Sequence, residues 1–173
     1  MKKILPLAFA LTLAGSAYSA QLSGEEVDTL ARNALAGQAN NHAEVTQDFV
    51  RGTILQESKG NTRATSRAGA RGLMQFMPST WSEVTSNSDF DSAYDAQRNV
   101  NAGVRYMNQL ATYASRNHPN WNSMNTRQRQ EAISAMYNGG MGNLRRNNWN
   151  IDRMSQETRN YVPAVQRRAR SSP

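Results

Sequence analysis

Ile54-Leu55-Gln56-Glu57-Ser58 and, shortly after it, Ser66-Arg67-Ala68-Gly69-Ala70-Arg71-Gly72-Leu73-Met74-Gln75-Phe76-Met77-Pro78 form the stretch from which the rest of the chain can be read. The first segment closes a helical pattern: Val45, Phe49, Val50 and Ile54 lead into Glu57, and Gly60-Asn61 is a C-terminal stop signal. Residues 61–72 carry three arginines and no periodic apolar pattern, which predicts a loop or short irregular strand. Pro78-Ser79 then opens a short helix bearing Trp81 and Val84. A carboxylate is therefore expected in the last turn of a helix, directly ahead of a turn-rich segment.

Working outward, helical patterns continue on both sides. Ser23-Gly24-Glu25-Glu26 is a capping box, followed by Val27, Leu30, Ala31, Ala34 and Leu35 at helical spacing. A polar break, Gln38 to His42, separates this helix from the one that ends at Glu57. The clearest pattern places Val100, Gly103, Val104, Met107, Leu110, Ala111 and Ala114 on one face. Another helix is predicted from Thr126 to Asn138, stopped by Gly139-Gly140. The last starts near Ser155, holds Tyr161, Val162 and Val165, and is expected to bend at Pro163. Arg167, Arg168 and Arg170 close it, where cations suit the helix dipole. With no repeat and no linker, the pattern predicts one all-α domain of about six helices. At most a small β-element is expected between Gly60 and Gly72.

The N-terminus reads differently. Lys2 and Lys3 precede an apolar run from Ile4 to Ala14, then Gly15, Ser16, Ala17, Ser19 and Ala20, the pattern of a secretory signal peptide. The run is well short of the ~20 residues of a membrane-spanning helix. Residues 1–19 are therefore expected to be a signal peptide and residues 20–173 the mature domain, in the periplasm or secreted, with no membrane segment after processing. About 150 residues suffice to bury a core unaided. They must do so, since the chain has no cysteine for disulfides or for a thiolate metal site.

The formal charge is +7, from 20 Lys+Arg against 13 Asp+Glu, and Lys59 is the only lysine beyond Lys2 and Lys3. An arginine excess suits a polyanion such as the cell wall. Nucleic acid is not expected, because no binding motif accompanies the charge. His42 and His118 lack metal-ligand spacing, so no metal or cofactor is expected.

Four segments carry chemistry: Glu57-Ser58, Gly72-Leu73-Met74-Gln75, Met136-Tyr137-Asn138-Gly139-Gly140, and Glu157-Thr158-Arg159-Asn160-Tyr161-Val162. In this order and spacing they resemble the soluble lytic transglycosylase family, over about Phe49 to Val165. Asn99-Val100-Asn101-Ala102-Gly103-Val104-Arg105-Tyr106 is similar to the family's next helix. The resemblance implies a lysozyme-like helical fold related to goose lysozyme. It also implies cleavage of the β-1,4 bond between MurNAc and GlcNAc in peptidoglycan glycan strands, leaving a 1,6-anhydromuramic end.

Under that resemblance Glu57 is the catalytic residue. Ser66, Gln75, Met77, Tyr137, Asn138, Glu157 and Tyr161 fall on substrate-binding positions. Gly72 would let the backbone pass close to the site. Met136 stands where the family carries alanine and is expected to reshape a sugar subsite.

The chemistry asks for such a residue. Protonating a glycosidic oxygen near neutral pH needs a carboxyl whose pKa is raised, and burial beside apolar neighbours raises it. Ordinary glycosidases add a second carboxylate; the family resembled uses one. Asp89, Asp91, Asp95 and Asp152 match no motif and are read as loop or capping residues. Trp81, Trp121 and Trp149 are read as core. A lysozyme-type hydrolase of the same fold, and a non-catalytic wall-binding protein, are the alternatives. Small members of the family open the wall locally for secretion systems, pili or phage infection, and a monomer serving such an assembly is expected by that analogy.

Overall fold

A computed structural model describes residues 20–171; the expected signal peptide lies outside the described residues. The capping box at Ser23 forms: its hydroxyl accepts from Glu26 N while the Glu26 carboxylate accepts from Ser23 N, starting α1 (Gly24–Ala36). Thr46 caps α2 (Gln47–Glu57), Asp95 caps α4 (Ala96–Asn117), and Asn125 with Gln128 forms a second capping box at α5 (Thr126–Gly139). The short α3 (Pro78–Thr85) begins at its proline. Ser155 caps α7 (Gln156–Arg170), which runs through Pro163 as one helix.

Between α5 and α7 lies a helix absent from the sequence reading, α6 (Met141–Arg146). Gly139-Gly140 does stop α5, but Gly140 takes φ +86 and only redirects the chain, so helix resumes at once. The described residues thus hold seven α-helices and three short 3-10 helices, more than the six or so that periodicity showed. The β-content is confined to isolated bridges: Gln21 with Asn61, and Arg71 with both Thr65 and Phe76. No helix among the described residues is long and apolar enough to cross a membrane.

The core is continuous, and α2 lies within it, packed on α7 and α1. A methyl group at Gly52 would come within 2.7 Å of Val165 O and Ala169 N, so the α2 and α7 backbones almost touch there. That approach fixes the side chains at the end of α2 against those of α7. Met136, expected to reshape a subsite, is instead fully buried in the core. Its neighbour Tyr137, about 100° further round the helix, is only partly buried and donates its hydroxyl to Met74 O.

Candidate active site

Glu57 is the last residue of α2 and is half-buried. Its Oε1 accepts a 2.6 Å hydrogen bond from the hydroxyl of Tyr161, a buried residue of α7. Burial pushes the Glu57 pKa from 4.5 up to about 7; the Tyr161 bond partly opposes this, and the negative charge of Glu157 adds to it. At neutral pH the group is poised between acid and base. With Oε1 occupied by Tyr161, Oε2 is the oxygen that can carry the proton.

The two tyrosines are matched to this carboxyl. Burial, and then the charge of Glu57, raises both the Tyr137 and the Tyr161 pKa well above 10, which keeps both as hydroxyl donors. Tyr137 donates to Met74 O at 2.7 Å, joining α5 to the loop that follows Gly72, and its ring lies 5.4 Å from that of Tyr106.

Asn138 has a different task. Its amide donates to Glu157 Oε1 at 3.2 Å and its Oδ1 accepts from Thr158 Oγ1 at 2.7 Å. Both ends of the amide are therefore spent tying α5 to α7, and Glu157 is held at the start of α7 where it faces Glu57 electrostatically. Thr158, fully buried, was not singled out in the sequence; the signal was its place three residues after the N-cap Ser155.

Residues 59–77 follow Glu57 and are tied to α5 by the Tyr137–Met74 O bond. Ser66 sits in a tight turn, its Oγ accepting from Ala70 N at 3.0 Å. Gln75 has φ +50, and its Nε2 donates to Gly72 O at 2.9 Å and Ala64 O at 3.2 Å. The amide does not offer both its ends to a ligand, since the donor end holds the loop and Oε1 is what remains. Met77 is exposed, at 40 % of its surface, and is not a core residue.

Gly72 is required by the protein itself. With φ +78, a side chain there would lie 2.2 Å from Ala93 O and 2.3 Å from Asn99 Nδ2. Asn99, which in the sequence only heads a family-like helix, carries no expected role there. It has no exposed surface, its Oδ1 accepts from Met74 N at 2.8 Å, and its Nδ2 donates to Ala93 O at 2.7 Å and to Arg71 O at 3.3 Å. The available signal was a polar residue on the apolar face of α4, four residues before Gly103 and eight before Met107.

The spare aspartates are structural. Asp89 and Asp95 cap helices, Asp91 pairs with Arg71 at 2.6 Å, and Asp152 lies in an exposed 3-10 turn. Trp81 and Trp121 are buried, while Trp149 is partly so. Among the described residues, no group of three His, Asp or Glu side chains could hold a metal ion.

The family model for the transglycosylase SLT domain matches residues 34–162. A transglycosylase of Enterobacteria phage PRD1 is 31% identical over 97 residues, 49% of this chain and 35% of that protein. The 70 kDa soluble lytic transglycosylase of Escherichia coli superposes with a TM-score of 0.64 at 24% identity, over 82% of this chain and 23% of that one. A complex of the 70-kDa soluble lytic transglycosylase with bulgecin A gives 0.63 at 25% identity, with the same coverage. The chain thus spans about a third of its phage relative and under a quarter of the solved enzymes, and the likeness to the Escherichia coli structure concerns the helical, lysozyme-like fold.

Proposed function

This chain belongs to the transglycosylase SLT domain family, and from that membership we propose that it is a peptidoglycan lytic transglycosylase in which Glu57 is both acid and base. The observation that carries the reading is a half-buried carboxyl with its pKa raised to about 7, one oxygen held by Tyr161 and the other open. In the first step the Oε2 proton passes to the glycosidic oxygen and the bond to C1 of MurNAc breaks, releasing the GlcNAc 4-hydroxyl. The substrate's own 2-acetamido oxygen bonds to C1 and carries the developing charge. Glu57, now a carboxylate, takes the proton of the 6-hydroxyl as O6 bonds to C1 and displaces the acetamido oxygen. The acid is regenerated and no water is consumed.

One carboxylate suffices for this sequence, which accords with the structural roles of the aspartates. Glu157, the one other carboxylate that acts on Glu57, is exposed and held by Asn138. In this reading it tunes the acid. Gln75 Oε1, Ser66, Met77, Tyr137 and Tyr161 line the path of the glycan, while Asn138 positions Glu157. Mass spectrometry of products from purified sacculi is the test. Anhydromuropeptides are expected, whereas reducing-end muramic acid would hand the site to the lysozyme-type alternative.

Export belongs to the same proposal. The charged start, apolar run and small residues of positions 1–19 support a signal peptide and a periplasmic site of action. N-terminal sequencing of active protein should find a start between Ala17 and Gln21. The relative in phage PRD1 supports a phage link as one setting for local wall opening.

A further inference from the structure

A cavity of about 640 Å³ lies away from Glu57. It is bounded by the loop between α1 and α2 and by the C-terminal half of α4. That loop enters the N-terminal end of α2 and Glu57 stands at its C-terminal end; the 11 residues between set them roughly 15 Å apart.

The cavity is built, not merely left over. Asn108 Oδ1 accepts from His42 N at 2.8 Å, Asn108 Nδ2 donates to Asn41 Oδ1 at 2.8 Å, and His42 Nε2 meets Thr112 Oγ1 at 2.9 Å. These bonds pin the loop to α4 and leave Gln38, Asn40, Gln109 and Arg116 around the opening, with Tyr113, whose ring also packs on Trp149, and Arg105, which also donates to Val84 O at 3.1 Å, in its lining. No Asp or Glu lines it. Glu44, beside the lining residue His42, is buried and faces His42 at 3.6 Å and Arg129 at 3.8 Å.

Each component answers to the same ligand chemistry. Amides present a donor and an acceptor side by side, which suits sugar hydroxyls and acetamido groups. Guanidinium groups select carboxylates, and a tyrosine ring offers a face for the apolar side of a pyranose. We propose that this cavity is a second, non-catalytic contact for a carboxylate-bearing glycan, the peptide-substituted strand of the wall. This rests on the proposed function for its ligand, and it assigns the cavity to holding insoluble substrate while Glu57 works elsewhere on it.

The test uses the full mature chain with Glu57→Gln, so that nothing is cleaved, and co-sedimentation with intact sacculi or with sacculi stripped of their peptides. Arg116 and Gln109 are both exposed, so Gln109→Glu with Arg116→Glu reverses charge without touching the core. Binding to intact sacculi should weaken by about fivefold, the scale of a few exposed charge contacts. Arg116→Lys should retain most of it. Stripped sacculi should bind the parent and the double variant alike. With Glu57 restored, the double variant should cleave a short soluble muropeptide tetrasaccharide at the parent rate. Unchanged sedimentation with intact sacculi would overturn the proposal, and so would an equal loss on the tetrasaccharide, which would make the cavity part of the catalytic cleft. A tetrasaccharide left uncleaved by the parent, with the binding difference preserved, would sink the proposed activity and leave this assignment standing.

Discussion

Glu57 stands between two walls of different construction. One is helical: α2, α5 and α7 meet through Gly52, the Tyr161 hydroxyl and the Asn138–Thr158 pair. The other, residues 59–77, turns at left-handed Lys59, Gly60, Gly69, Gly72 and Gln75 and is joined by isolated bridges. The helical wall is held by packed area, spread over many contacts. The turn wall is held by a few buried or part-buried hydrogen bonds, chiefly those of Asn99, Gln75 and Tyr137. Removing one atom from the second wall should therefore cost as much as removing a side chain from the first.

The largest expected effect tests what the two walls enclose. Glu57→Gln keeps the size and removes titration, and activity on peptidoglycan should fall by about 10²–10⁴. Stability should move the other way. Because the folded pKa is raised from 4.5 to about 7, the carboxyl destabilises the fold increasingly as pH rises through that window, fully above it and not at all below. The variant should gain up to about 3 kcal/mol at pH 8 and nothing below about pH 4.5, as urea titrations at the two pH values would show. Full activity in Glu57→Gln would remove the catalytic assignment.

Asn99→Ala strikes the turn wall, leaving Met74 N and Ala93 O buried without this partner. A loss of about 2–4 kcal/mol is expected in denaturant titration, with helical circular dichroism preserved before the transition. A loss below 1 kcal/mol would show that the turn segment is self-supporting. Gly52→Ala strikes the helical wall, where the methyl group must push α2 from α7, and about 1–3 kcal/mol is expected. If the seam yields, the Glu57–Tyr161 bond loosens and the rate drops with the stability.

Tyr161→Phe is subtler. Its bond lowers the Glu57 pKa, so removing it should raise that pKa further, and the alkaline limb of the pH–rate profile, set near 7 in the parent, should move to higher pH. An alkaline limb that stayed put would mean that another group sets it. Smallest of all, Asp91→Asn breaks the exposed pair with Arg71 and should cost less than about 1 kcal/mol with activity retained. A large loss would put Asp91 in the site after all.

The helical wall was the legible one. Apolar spacing and caps such as Ser23, Asp95 and Asn125 report a helix locally, because each cap bonds its own first turn. The order of the four motifs marked Glu57, Tyr137 and Tyr161 as partners, and the Tyr161–Glu57 bond spans 104 positions of the chain. Less legible were residues whose work is to bind distant backbone. In the sequence Asn99 stands only as part of a family-like helix, Asn138 is expected to meet a ligand although both ends of its amide bind the protein, and Gln75 keeps only its Oε1 free. Met136 next to Tyr137 suggested the cleft, yet lies in the core. In the same way α6 was hidden, because two glycines end a pattern without revealing that the chain resumes it.

The sequence by itself determined most of the helical segments, α6 apart, since periodicity and capping are properties of neighbouring residues, and the resemblance carried by its motifs marked Glu57 as the candidate acid. Only the tertiary structure decided that this carboxyl would be half-buried beside Glu157 with Tyr161 on one oxygen, and hence that its pKa would rise to about 7. Desolvation and hydrogen bonding depend on what the fold brings near a group, and Tyr161 and Glu157 reach Glu57 only when α7 closes on α2 at Gly52.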